Sequence, residues 1–254
     1  MEQGEDRLRQ YREVVAMWEA LAPARRAACG ATERDAAAAA YRAIGAAEAA
    51  AGATQAALDA WAQAIALLDA NADVESDAAP AEQRDARLYR VAALHLGCAD
   101  LWRERGDAAA AIAAYAAAIE RWQALQRSGS ALYSAELADV LAHSSFEQAR
   151  LHLAGGNAAA AAQAAALATA AWSEAAAERE QPEPQRLDAL ANGYGFQGAA
   201  LRRLGERDAA RQCFAQAATL WDRLQLELGA ATPPGLLQRL ALARQQIEEL
   251  DAGR

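Results

Sequence analysis

Four glycines, Gly52, Gly106, Gly156 and Gly205, each open a segment of one pattern: "GATQAALDAWAQAIALL", "GDAAAAIAAYAAAIERW", "GNAAAAAQAAALATAAW" and "GERDAARQCFAQAATLW". Alanine recurs five residues after the glycine (Ala57, Ala111, Ala161, Ala210) and twelve after it (Ala64, Ala118, Ala168, Ala217). Bulky side chains stand nine after it (Trp61, Tyr115, Phe214, with Ala165 as the exception) and sixteen after it (Leu68, Trp122, Trp172, Trp221). These offsets step by three or four, so all four positions share one helical face. A stripe that alternates small and large lets a second helix approach closely at the alanines and fills the remaining volume with rings. That second helix lies upstream. "AAAAAYRAIGAAEAAAG", "RVAALHLGCADLWRERG", "LAHSSFEQARLHLAGG" and "LANGYGFQGAALRRLG" each run into the same glycine, with Gly45, Ala99, Ala149 and Gly198 seven before it.

Composition agrees with helices alone. Alanine supplies about three in ten residues, β-branched residues are scarce and aromatics make up 6%, so helix-forming material is abundant and strand-forming material thin. Asp107 and Asn157 directly follow their turn glycines and supply N-caps for the second helices. Between the pairs, "NADVESDAAPAEQ" (71–83), "RSGSA" (127–131) and "EQPEP" (180–184) are polar stretches with proline or glycine and read as loops, the first of them mobile. At the ends, "YREVVAMW" places Tyr11 and Trp18 at the same spacing, and the segment opened by Pro233 and Pro234 carries a stripe of Leu237, Leu240, Ala243 and Ile247. Both are expected to cap the repeats.

A helix pair with a small residue in its first helix, a glycine turn, then alanine, aromatic and alanine on its second helix resembles the tetratricopeptide repeat (TPR). The glycines are 54, 50 and 49 residues apart, against roughly 34 in the standard repeat, so the helices should be longer, about twenty residues or roughly 30 Å. The resemblance implies an all-α fold: a right-handed α-solenoid of antiparallel helix pairs with about ten helices, spanning 1–254 as a single domain. Its expected parts are a capping helix at 4–22, pairs at 32–70, 86–126, 131–179 and 185–228, and a closing helix at 234–252.

The charge of −9 argues against direct binding to nucleic acid backbones. No stretch is apolar enough for long enough to span a bilayer, and "MEQGEDRLRQ" lacks the layout of a secretion signal. Cys29, Cys98 and Cys213 are odd in number and far apart, which suits reduced thiols. A cytoplasmic protein is expected. All 25 basic residues are arginine, which with the alanine excess indicates a GC-rich bacterial coding bias.

Motifs for catalysis are weak. His95 and Cys98 share a helix face, but no second pair completes a metal set. His143 beside Ser144 and Ser145, with His152 further on, lacks an elbow motif and an orienting acid. The glutamates 174, 178, 180, 248 and 249 with Asp251 read as solvated faces. Neither an enzyme nor a cofactor site is expected.

In TPR-like solenoids the first helices line a concave groove that accepts peptides, so the resemblance directs attention there. On the faces not used against the second helices stand Arg42, Asp100, Arg103, His143, Phe146, Arg150, Asn192, Arg202 and Arg203. On an acidic chain such arginines suit carboxylate recognition by forked hydrogen bonds, and Phe146 offers an apolar anchor; equally, neighbouring acids such as Asp100 and Glu104 would pair with them. The carboxylate clamp of chaperone-binding relatives is not matched, because Ala46 and Gly97 occupy places that need asparagine. Two functions stay open. One is a non-catalytic scaffold or adaptor holding an acidic or partly apolar protein segment, with self-association through the end helices as a further option. The other is a regulatory sensor that binds a small peptide or metabolite and controls a separate enzyme or transcription regulator.

Overall fold

The glycine turns set the architecture. Gly52, Gly106, Gly156 and Gly205 adopt φ of +77°, +83°, +81° and +80°, a left-handed conformation open to glycine at little cost. In every case the glycine N–H bonds the carbonyl three residues back and the next N–H bonds the carbonyl five back, as in Gly106 to Arg103 (3.0 Å) and Asp107 to Trp102 (2.9 Å). This pair of bonds satisfies carbonyls left over at the end of the first helix. The expected caps form at two turns: Asp107 accepts from the Ala110 N–H at 3.0 Å and Asn157 from the Ala160 N–H at 3.1 Å.

The computed structural model describes residues 2–75, 80–177 and 183–252. They form two compact units, 1–130 and 131–254. The first holds α1 (Glu2–Ala20), the short α2 (Pro23–Ala27), and the pairs α3 (Ala31–Ala50) with α4 (Thr54–Glu75) and α5 (Ala81–Glu104) with α6 (Ala108–Arg127). In the second are the pairs α7 (Ala135–Ala154) with α8 (Ala158–Ala177) and α9 (Pro184–Arg203) with α10 (Arg207–Leu228), a single 3-10 turn at Gly229–Ala231, and α11 (Pro234–Ala252). Among the described residues there are eleven α-helices and no strand. Within each unit every helix from α3 or α7 onward packs on the next, and α1 lies on α3.

All eight stripe alanines have 0% exposure. The rings and leucines between them, Tyr115, Phe214, Leu68, Trp122, Trp172 and Trp221, are buried with them, and only Trp61 stays half-buried. Ala165, which stands where the other pairs have a ring, is fully buried against Ala149 and Phe196, so a neighbouring pair's phenylalanine fills the missing volume.

Two expectations need correction, and one element, α2, was not foreseen. The stretch 71–83 is not one loop: α4 runs on to Glu75 and α5 starts at Ala81, while the mobility expected of its middle falls on 76–79, outside the described residues. Helix α2 has no counterpart in the repeat pattern; Pro23 starts it at a position where a missing N–H costs nothing. On α11 the buried stripe is Leu236, Leu240, Ala243, Gln246 and Leu250, whereas Leu237 is exposed. The helix is turned so that Leu236 and Gln246, rather than Leu237 and Ile247, lie deepest on its inner face.

Candidate functional site

Unit 131–254 carries a cavity of about 350 Å³ lined by residues of α7, α9, α10 and α11. Its walls are aromatic. Phe146 of α7 packs edge-on against Phe196 of α9, with ring centroids 5.4 Å apart, and tilts on Trp172 at 5.6 Å. Phe214 and Trp221 of α10 line it as well, as does Leu242 of α11, which is 56% exposed. Glycine makes the room: a Cβ on Gly195 would sit 3.3 Å from the Trp221 ring.

Polar groups surround this apolar wall. Arg239 of α11 donates to both oxygens of Asp188 at 2.7 and 2.9 Å, and its guanidinium lies 5.8 Å from the centre of the Trp221 ring. The Nε–H of Arg239 is buried with no acceptor among the described residues, an arrangement that costs free energy. Asn192 uses its Nδ2 on the Asp188 backbone carbonyl at 2.7 Å. Arg202 pairs with Glu249 at 3.2 Å, and Gln246 donates to the same carboxylate at 3.3 Å.

The structure therefore brings Phe146, Asn192 and Arg202 together at one cavity, and the other sequence-derived residues lie elsewhere. His143 and Arg150 are exposed on α7, one turn to either side of Phe146, and Arg150 pairs with the buried Glu147 at 2.9 Å. Arg203 donates to the Leu153 carbonyl at 3.1 Å, near the end of α7. In unit 1–130, Arg42 is exposed, and its backbone carbonyl accepts from Trp61 at 3.2 Å. Asp100 accepts from the hydroxyl of the fully buried Tyr115 at 2.6 Å, and the Arg103 Nε donates to that hydroxyl at 3.3 Å. Burial first, and then the Asp100 carboxylate, holds this phenol protonated far above its ordinary range.

Sequence reasoning missed Phe196, Phe214, Trp221, Arg239, Leu242 and Gln246 as cavity residues. A signal existed in α11, where Arg239, Leu242 and Gln246 recur at helical spacing on one face.

Ser144 and Ser145, beside His143, turn back onto their own helix and donate to the Val140 and Leu141 carbonyls, each at 2.8 Å. Their hydroxyls serve the helix backbone. Among the described residues no group of three His, Cys, Asp or Glu is placed to hold a metal ion, and no helix is long and apolar enough to cross a membrane.

Comparison with solved structures places this geometry. BtubC (BKLC) from P. vanneervenii is 17% identical over 91% of this chain and 78% of that one, with a TM-score of 0.53. The fold is TPR-like. Two further solved chains resemble the TPR-like chain more loosely. TPR-like repeats described as a kinesin light chain from Podosopora anserina are 18% identical over 88% and 90% of the two chains, with a TM-score of 0.43. MamA is 16% identical over 78% and 98%, with a TM-score of 0.39. No family model and no curated protein matches the TPR-like chain. At these identities the likeness is one of fold.

Proposed function

We propose that the protein is a non-catalytic binding module that holds a segment of another protein on the face built by α7, α9 and α11 of unit 131–254. One observation carries this reading. Phe146, half-buried and edge-on to Phe196, stands on α7 between the exposed His143 and Arg150, with Arg202 of α9 and Leu242 of α11 at the same cavity. Aromatic anchors among arginines are the composition in which binding energy concentrates. Arg202 pairs with the half-exposed Glu249, and such a pair is held weakly enough to exchange for a partner's carboxylate, whereas Arg150 is held by the buried Glu147. A TPR-like fold supports an interaction scaffold in general, and the serine hydroxyls committed to helix carbonyls give no support to hydrolysis. An acidic or partly apolar segment fits this surface best.

Peptide display on the purified chain tests the reading. Enrichment of peptides joining an apolar residue to acidic ones is expected, with binding lost in a His143→Glu, Arg202→Glu double variant whose melting temperature stays near the parent's. Absence of enrichment, or binding that ignores the double substitution, would overturn it.

A further inference from the structure

We propose that the cavity lined by α7, α9, α10 and α11 is a site for a small aryl carboxylate, a use that goes beyond the peptide face and stands or falls separately from it. Three features of the cavity argue for this ligand. Its volume, about 350 Å³, falls in the ~300–1,000 Å³ range of small-ligand sites and suits one ring with a short acid chain. Phe146, Phe196 and Trp221 offer faces and edges against which a flat ring packs well. The polar groups then decide the charge. Arg239 lines the cavity with its guanidinium held on Asp188. A second guanidinium, Arg202, lines the same cavity and among the described residues is engaged by the half-exposed Glu249 alone, so an incoming carboxylate competes for it on even terms. A cation, which the rings alone would suit, meets two arginines. A neutral ligand gains only a weaker, uncharged-acceptor hydrogen bond from Arg202. Filling the cavity would also brace Phe146 and Leu242, the apolar side chains that the peptide face presents, so the ligand is placed to regulate that face.

The test is titration of the full chain with 3-phenylpropionate, its neutral isostere 3-phenylpropanamide, and acetate, followed through the tryptophan indole N–H signals by NMR. A saturable shift of the Trp221 signal is expected for 3-phenylpropionate, with the amide at least about tenfold weaker, as fits the loss of one charge-assisted hydrogen bond, and acetate without effect. Arg202→Gln, which removes the guanidinium charge at the cavity, should weaken binding by a similar factor. Leu242→Glu changes an exposed position at the cavity and should weaken it at unchanged melting temperature, which covers the case of Arg202→Gln failing to fold. Equal binding of the amide overturns the carboxylate assignment. No saturable shift at millimolar ligand, or a Trp221 shift produced by displayed peptides alone, overturns the small-ligand site while leaving the peptide face intact.

Discussion

Trp221 donates its indole N–H to Asp188 at 2.8 Å. The same carboxylate receives Arg239 through two further bonds at 2.7 and 2.9 Å, so one side chain of α9 ties down both α10 and α11. Truncation by Asp188→Ala strands a buried indole donor and a guanidinium together. Losses of this kind cost about 2–4 kcal/mol. Urea unfolding should show that loss, with the amides of α11 the first to gain hydrogen exchange; Asp188→Asn, which keeps an acceptor for the indole, should lose less. A parent-like midpoint for Asp188→Ala would refute the tie.

Gly45 and Gly97 clasp Trp61 from two helices. A Cβ on Gly45 would lie 2.4 Å from the indole, and one on Gly97 would lie 2.9 Å from it, distances that force the ring to move and put its bond to the Arg42 carbonyl at risk. Overpacking costs about 1–3 kcal/mol, more than the roughly 1 kcal/mol that alanine gains over glycine inside a helix. Gly45→Ala should therefore lower the melting temperature. By contrast, a Cβ on Gly235 meets only the end of the Arg239 side chain at 3.7 Å. Gly235→Ala should raise stability by about 0.5–1 kcal/mol. Thermal melts of the two variants with opposite signs confirm the distinction, and equal shifts would remove it.

Gly45 and Trp61 also show what the sequence could reveal and what it could not. Their columns, seven before and nine after the turn glycine, are legible because helix periodicity is local and repeats four times. From them follow the pairs, the buried alanines and the left-handed turns. Arg202 with Glu249 and Arg239 with Asp188 were not legible, since the partners are 47 and 51 residues apart. Which residues face one another at that distance depends on how α11 is rotated against α9 and α10. Reading Leu237 rather than Leu236 onto the inner face of α11 displaced that rotation and hid the cavity. The aromatic wall stayed hidden for a related reason. Stripe residues such as Trp221 read as core, and core they are, yet one edge of the ring lines a cavity where Gly195 leaves space.

His95 should make stability fall as the solution is acidified. Burial, and next the nearby Arg121, lower its pKa from 6.5 to about 4, while Asp69, paired with Arg121 at 3.5 Å, pulls the other way. The unfolded chain takes up a proton on this residue below pH 6.5 and the folded chain does so only near 4. The stabilising contribution is therefore complete above 6.5 and is lost as the pH drops toward 4. Allowing for partial solvent contact, the loss amounts to about 1–2 kcal/mol. Its Nε2 has no partner among the described residues, so His95→Leu removes the proton uptake without stranding a hydrogen bond. Urea midpoints at pH 7 and pH 5 should diverge less in the variant than in the parent. Identical pH dependence of the two would exclude His95 as the source.

The three thiols should react in two classes. Cys29 is only half-buried, with its Sγ 3.4 Å from the Arg25 carbonyl. Cys98 and Cys213 are buried, and that burial pushes the Cys98 thiol up to about 11 and the Cys213 thiol upward as well. Only the thiolate attacks a disulfide reagent, so both low access and low ionisation protect these two. Ellman's reagent at pH 8 should modify one thiol per native chain quickly and the remaining two at rates that rise with urea and track local opening. All three should react in full denaturant. Fast labelling of a second thiol in native buffer would mean that the helix pair around Cys98 or Cys213 opens readily, against the tight packing of its alanine stripe.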